Sequence, residues 1–194
     1  MVDGDQIMAI CANFMKKQGT LKKNTVVVTV MSNLGFTLMG EREGLHIATT
    51  QVGDRYVLER MKAEGYNIGG EQSGHIIFLD SNTTGDGMLS ALRLLEVMVT
   101  EKKPLSELAS VMEVLPQALV NAHVPNDRKT SYNDYSEIRE GIRKLEDKFA
   151  GQGRILIRPS GTEPLVRVMI EGKDQQVIQE EAQRLASLIQ DIMF

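Results

Sequence analysis

The sequence has little cysteine, proline or aromatic residue, and no tryptophan at all. Among 194 residues there is one cysteine, Cys11, with five prolines and an aromatic fraction of 5%. A single cysteine excludes an internal disulfide and a cysteine metal cage, so a reducing cytoplasm is the expected setting. At helical spacing among apolar neighbours, Cys11 is predicted to be a core residue.

The sequence also lacks a large excess of one charge and long apolar runs. The 26 acidic and 22 basic residues give a net charge of −4 without a dense Lys/Arg cluster, which argues against nucleic acid as a partner. The longest apolar run, around Val26–Val28, is far below the ~20 residues of a membrane-spanning helix. Asp3 and Asp5 stand where a signal peptide would be positively charged. We therefore expect no membrane association.

An ordinary globular composition remains, with 42% hydrophobic and 25% charged residues. Helical and strand-like segments alternate as far as Leu115, and the segment 25–31 is apolar on both faces, as in a strand covered by helices on two sides. After Pro116 the order becomes β-α-β-β-α. The sequence predicts two domains: an α/β layer domain over residues 1–115, and a small α+β domain over 116–194 with both helices on one face of an antiparallel sheet.

Periodicity gives the expected elements. Helices are predicted at 5–17, in a short segment ending at Glu41, and at 53–64, 86–100, 105–112, 135–149 and 174–193. Strands are predicted at 25–31, 45–49, 67–69, 75–79, 117–124, 154–158 and 165–171. Methionines at helical positions, such as Met88, Met98 and Met112, are predicted to be packing residues.

The first chemically suggestive loop begins at Gly69 and contains Glu71, Ser73 and His75 among three glycines. A carboxylate accepts hydrogen bonds from neighbouring hydroxyls, a serine donates and accepts, and a histidine changes protonation near neutral pH. A sugar with neighbouring hydroxyl groups is a suitable ligand for these three side chains. The alternative is a tight turn whose polar side chains only face water.

The second loop runs from Arg158 to Pro164 between two predicted strands. Its backbone N–H groups can form an anion-binding nest, Ser160 and Thr162 add hydroxyls, and Arg158 can bind phosphate with two hydrogen bonds. The alternative is a hairpin turn with Arg158 paired to Glu163. Arg167 is expected to be a surface strand arginine, with assistance to Arg158 in phosphate binding as the alternative.

Other candidates are weaker. Asp3-Gly4-Asp5 suits a helix cap better than a metal loop, because no third ligand is nearby. His46 and His123 lack acidic or cysteine partners and are predicted to be core or surface residues. Neither a nucleophile with its base nor a known nucleotide-binding motif is present. We expect no metal site within this chain.

Taken together, the two loops resemble the C-terminal half of the α-D-phosphohexomutase superfamily. Gly-Glu-Gln-Ser-Gly-His at 70–75 is similar to its sugar-binding loop, and Arg-Pro-Ser-Gly-Thr-Glu-Pro at 158–164 to its phosphate-binding loop. Gln72 and the segments 31–35 and 50–56 resemble the bacterial phosphoglucosamine mutase branch.

The resemblance implies domains three and four of a four-domain isomerase. The third would be a mixed α/β/α domain, and the fourth a small domain like the TATA-box-binding protein. Such enzymes interconvert glucosamine 6-phosphate and glucosamine 1-phosphate, on the route to UDP-N-acetylglucosamine, through a bisphosphorylated glucosamine or glucose. A phosphoserine in domain one and Mg²⁺ on an Asp-rich loop in domain two carry the chemistry. Neither motif is in this sequence, so the chain alone is expected to be inactive. The resemblance also implies a monomer, because dimers of the family usually form through domain one.

The resemblance also assigns residues. Glu71 and Ser73 would hold sugar hydroxyls, and His75 would transfer a proton or position the ligand. The remaining substrate contacts would be Gly53 and Asp54 in one loop, and Arg158, Ser160, Gly161 and Thr162 around the phosphate. The alternatives are a phosphomannomutase or phosphoglucomutase, and a phosphosugar-binding module without catalysis.

Overall fold

A computed structural model describes all residues from 1 to 194. The chain divides into two compact units, Met1–Val114 and Leu115–Phe194. Each unit has its own sheet and its own buried core. No helix in either unit is both long enough and apolar enough to span a membrane.

The first unit is built on a four-stranded mixed sheet. Its strands are β1 (Thr25–Thr29), β2 (His46–Thr50), β3 (Ile68–Gly70) and β4 (Ile76–Phe78), in the spatial order β2-β1-β3-β4. Strand β1 pairs in parallel with β2 and β3, and β4 runs antiparallel to β3. The helices are α1 (Gly4–Lys17), α2 (Leu34–Glu43), α3 (Asp54–Glu64), α4 (Gly87–Glu101) and α5 (Leu105–Leu108).

Strand β1 is buried on both faces, which confirms the expected helix-sheet-helix layering. Val26 and Val28 belong to a core that includes residues of α1 and α2, whereas Val27 lies in a separate cluster with Val57 and Met61 of α3. Alternate side chains of a strand point to opposite faces, so the two clusters lie on opposite sides of the sheet.

Local chemistry sets where the helices begin and end. Asp3 accepts a hydrogen bond from the Gln6 N–H and Gln6 bonds back to the Asp3 N–H, which is a capping box that starts α1. The Asn33 side chain caps α2. Gly44 and Gly65 end α2 and α3 in the left-handed conformation that glycine adopts without strain.

The second unit is a three-stranded antiparallel sheet with helices on one face. Strands β5 (Gln117–His123), β6 (Arg154–Pro159) and β7 (Leu165–Glu171) have the order β5-β7-β6, and the helices are α6 (Ser136–Phe149) and α7 (Gln175–Met193). Alternate residues of all three strands, such as Ala118, Ile155 and Val168, face one cluster with Ile138 of α6 and Ile189 of α7. This arrangement is the α+β architecture that the sequence predicted.

Three details differ from the sequence-based predictions. Residues 105–112 do not form one helix: α5 ends at Leu108 and a 3₁₀ turn, Ala109–Val111, follows, because the tighter turn brings Ala109 and Met112 into the core. Strand β1 ends at Thr29, because the Ser32 N–H bonds to the Thr29 carbonyl and turns the chain. Met88 is not a packing residue: it is 80% exposed on the outer side of α4.

Candidate functional site

Three loops of the first unit gather at one edge of its sheet. Parallel strands β1, β2 and β3 all end there, and the loops that follow them are residues 30–33, 51–53 and 71–75. The chain passes from β1 to β2 on one side and then to β3 on the other side of β1. Open α/β sheets bind ligands beyond the carboxyl ends of the strands at such a reversal. The 71–75 loop therefore lies where this fold places ligands.

The 71–75 loop is a tight turn closed by its own backbone. The Gly74 N–H donates to the Glu71 carbonyl at 2.9 Å, and the Glu71 N–H donates to the His75 carbonyl at 3.1 Å. Gly74 has a φ of +100°, which a side chain would strain. The turn leaves Ser73 and His75 exposed to solvent.

Glu71 joins this turn to the start of α3. Its Oε1 accepts a hydrogen bond from the Gly53 N–H at 3.0 Å, and its side chain is only 14% exposed. The Glu71 Oε2 lies 3.7 Å from Nδ1 of His75, whose side chain is 69% exposed. Asp54 follows Gly53 in the first turn of α3. The structure thus brings Gly53, Asp54, Glu71 and His75 together, with Ser73 on the same turn.

In the second unit, Ser160 organises the turn between β6 and β7. Its N–H donates to the Leu165 carbonyl at 2.9 Å, and its Oγ accepts from the Glu163 N–H at 3.2 Å. Ser160 is 5% exposed. The buried serine therefore stabilises the turn by its own hydrogen bonds. Its Oγ also lies 3.5 Å from the Glu163 Oε2.

The tip of this turn presents unused hydrogen-bond donors. The backbone N–H groups of Gly161 and Thr162 bond to no protein acceptor, and neither does the Thr162 hydroxyl. Both residues are exposed. Successive free N–H groups on a turn form a concavity suited to anions.

Arg158 is a half-buried cation without a counter-ion. Its guanidinium group makes no ion pair or hydrogen bond within the protein, and the residue stands directly opposite Arg167 in the β6–β7 ladder. Burial, with the charge of Arg167 as a second cause, lowers the pKa of Arg158. An arginine stays charged even so. Two facing guanidinium groups, one unpaired, are an arrangement that a bound anion would stabilise.

The alternative pairing of Arg158 with Glu163 is wrong. Glu163 instead accepts a hydrogen bond at 2.8 Å from Arg167, a partly exposed arginine of strand β7. Sequence reasoning also missed Lys129, whose ammonium group donates to the Glu163 carbonyl oxygen at 3.1 Å. Lys129 is 34 residues away from that carbonyl in the chain, and no local motif marks it.

The remaining candidates lie outside these loops. Asp3 caps α1, as predicted, and Asp5 is buried and accepts from the Asn33 N–H at 2.7 Å. His46 and His123 are exposed. Cys11 is buried in the core, where desolvation raises the pKa of its thiol to about 12. No group of three or more His, Cys, Asp or Glu side chains is arranged to hold a metal ion, so the residues present do not fit magnesium.

Comparison with known protein families shows the family to which the chain belongs. The family model described as "Phosphoglucomutase/phosphomannomutase, alpha/beta/alpha domain III" matches residues 3–115. The chain belongs to the phosphoglucomutase/phosphomannomutase family. The model of the C-terminal domain of this family matches residues 94–188. The resemblance to phosphohexomutases predicted from the two loops is confirmed.

Curated members of the phosphoglucomutase/phosphomannomutase family are similar along almost the whole chain. It is 58% identical over 190 residues to a phosphoglucosamine mutase of Ruminiclostridium cellulolyticum, and 56% identical over 191 residues to one of Clostridioides difficile. These matches cover 98% of the chain in both cases, but only 42% and 43% of the relatives. The chain therefore spans less than half the length of these enzymes.

Solved structures of this family share the fold. An N-acetylphosphoglucosamine mutase of Aspergillus fumigatus, in complex with GlcNAc-6P and magnesium, superimposes with a TM-score of 0.77 at 22% identity, covering 100% of the chain and 44% of that structure. At this identity the match shows the fold alone. It confirms the predicted fold class.

Proposed function

We propose that the chain is the substrate-binding half of a phosphoglucosamine mutase, which interconverts glucosamine 6-phosphate and glucosamine 1-phosphate through a bisphosphorylated sugar. The unpaired, half-buried Arg158, on the same β6–β7 hairpin as the free N–H groups of Gly161 and Thr162, carries the proposal. Those groups are suited to a phosphate, and the similarity to phosphoglucosamine mutases supports an amino-sugar phosphate as the ligand.

The loop of the second unit holds the phosphate group that is not being transferred. Arg158 forms two parallel hydrogen bonds to its oxygens, and the N–H groups of Gly161 and Thr162 donate to the same group with the Thr162 hydroxyl. The Ser160 hydroxyl turns from the Glu163 carboxylate towards the phosphate. Catalysis of phosphoryl transfer depends mainly on positioning and on electrostatic stabilisation, which these donors supply.

The loops of the first unit hold the sugar. Glu71 keeps its Oε1 on the Gly53 N–H and offers its Oε2 to a sugar hydroxyl, with Ser73 as a second contact. Asp54 binds from the start of α3. His75, which is exposed and near Glu71, moves a proton or orients the ligand. The bisphosphorylated intermediate has to turn over, so this surface accepts the sugar in two orientations.

The covalent chemistry belongs to the rest of the protein. A phosphoserine that donates and accepts the phosphoryl group would lie in domain one, and Mg²⁺ would lie in domain two. The residues of the present chain offer the metal no site. Residues 1–115 act as the sugar-binding domain three and 116–194 as the phosphate-binding domain four. The chain alone is inactive, monomeric and cytoplasmic, and it does not bind nucleic acid.

An NMR titration of the 194-residue chain with glucosamine 6-phosphate tests the proposal, with inorganic phosphate as the control. We expect amide resonances in both 70–75 and 158–164 to shift, with tighter binding than for phosphate. Absence of binding, or shifts outside both loops, would contradict the site assignment.

The sugar is tested by repeating the titration with mannose 6-phosphate and glucose 6-phosphate. Equal affinity for all three would leave a phosphohexose site but contradict the preference for an amino sugar. Full-length enzyme that turns over glucosamine 6-phosphate would exclude a module without catalysis.

A further inference from the structure

The first turn of α1 lies against the back of the 71–75 loop. The Gly4 N–H donates to the Gln72 carbonyl at 3.0 Å, and the Gln72 Nε2 donates to an oxygen of Asp3 at 3.3 Å. These contacts join two segments that are almost 70 residues apart in the chain. The loop therefore rests on a part of the protein outside its own motif.

Contact at Gly4 is too close for any side chain. A Cβ there would lie 2.7 Å from the Gln72 carbonyl oxygen and 2.8 Å from the Gly74 nitrogen, and would also overlap the Glu71 carbonyl oxygen. All three atoms are backbone, which cannot rotate away as the end of a flexible side chain does. Gly4 is thus required by the approach of the loop, since its own φ is that of an ordinary helix start.

A displacement of the 71–75 loop would also move Glu71, because Glu71 belongs to that turn. The Glu71 carbonyl accepts the Gly74 N–H that closes the turn, and the Glu71 carboxylate accepts the Gly53 N–H. In the same turn of α1, buried Asp5 accepts the Asn33 N–H in the loop after β1. One helical turn therefore contacts two of the three loops at the ligand-binding edge of the sheet.

We propose that the first turn of α1, residues 3–6, is a positioning element of the sugar site, and that Gly4 sets the position of Glu71. This proposal rests on the proposed function for the identity of the ligand. Gly4 does not touch the sugar: it acts through the backbone of residues 71–74. It is a positioning residue, and its substitution changes the sugar loop without changing the phosphate loop.

Gly4→Ala tests the proposal, with Gly87→Ala as the matched control, because a Cβ at Gly87 in the first turn of α4 meets nothing. In the ligand-free chain, we expect Gly4→Ala to shift the amide resonances of 71–75 and to leave those of 158–164 in place. Affinity for glucosamine 6-phosphate should fall about tenfold, while affinity for inorganic phosphate stays within about twofold. Gly87→Ala should change neither.

The readouts separate the two proposals. If wild-type chain does not bind glucosamine 6-phosphate, the proposed function fails, and the ligand-free resonances still decide the role of Gly4. A folded Gly4→Ala variant with unmoved 71–75 resonances would overturn the positioning role. If Gly4→Ala does not fold, Gln72→Ala decides: it removes the bond to Asp3 and should shift the amide resonance of Gly53, which donates to the Glu71 carboxylate outside the mutated loop, whereas an unmoved Gly53 resonance overturns the proposal.

Discussion

At the scale of single residues, the arginines on the β6–β7 hairpin place two like charges opposite each other. Arg158 and Arg167 face each other across the ladder, and only Arg167 has a carboxylate partner, Glu163. Like charges directly opposite each other destabilise a sheet. Folding alone therefore gives no reason for a half-buried arginine at position 158, whereas the phosphate of the proposed function does.

Arg158→Ala should weaken phosphosugar binding without weakening the fold. Loss of charge-assisted hydrogen bonds to phosphate costs about 1.5–3 kcal/mol, equivalent to roughly 10- to 150-fold in Kd. The melting temperature should stay the same or rise, because the repulsion from Arg167 disappears. Calorimetric titration and thermal unfolding measure the two effects.

Arg184→Ala is the control for Arg158→Ala. The Arg184 side chain is 73% exposed, and its partner Glu181 also pairs with Lys148, so loss of this one exposed contact contributes little. It should leave both binding and stability unchanged. If Arg158→Ala bound glucosamine 6-phosphate as wild type does, the phosphate role of Arg158 would be refuted.

At the scale of elements, sequence periodicity predicted the type and order of the secondary-structure elements well, because each helix and strand has its own pattern of apolar residues. The buried strand at Val26–Val28 and the striped helix 136–149 were both predicted from local residues. Helix α4 was harder, since it is apolar around most of its circumference and its pattern does not say which face is buried. Val97 is packed inward, and Met88, Leu92, Leu95 and Val99 form an exposed apolar stripe.

The candidate site residues were predicted only where a local motif marks them. The loop motifs predicted Glu71 and Arg158 as candidates, because the chemistry resides in consecutive residues. Contacts between distant segments, such as Lys129 with the Glu163 carbonyl or Gly4 with Gln72, depend on tertiary packing. Such pairs have no local signature, and the sequence alone could not predict them.

Two substitutions in α4 should distinguish its faces. Leu92→Gln on the exposed stripe should change the free energy of unfolding by less than about 0.5 kcal/mol, because both residues are good helix formers and little apolar surface is lost. Val97→Ala, at 2% exposure, should cost about 1–3 kcal/mol through the cavity it leaves. Urea unfolding followed by circular dichroism compares them. A large loss for Leu92→Gln would mean that the stripe is covered in solution.

At the scale of the whole molecule, each unit has a separate core, so each should have its own unfolding transition. Cys11 reports on the first unit. It is 2% exposed, and a thiol pKa of about 12 leaves only about one thiolate in ten thousand at pH 8, so the folded unit should react very slowly with iodoacetamide. Unfolding restores an ordinary thiol pKa near 8.5 and rapid labelling.

Cavities made in the two cores should therefore affect Cys11 differently. Phe36→Ala removes a ring from the cluster that contains Cys11, and should move the onset of labelling to lower urea, at a cost of about 3–5 kcal/mol. Ile189→Ala, in the other core, should cost about 2–5 kcal/mol in the second unit and leave the labelling curve unchanged. Resonances of residues 158–164, followed in the same urea series, should respond to Ile189→Ala alone. If both variants shifted the labelling curve equally, the two units would unfold as one cooperative structure, and binding at either loop would stabilise the entire chain.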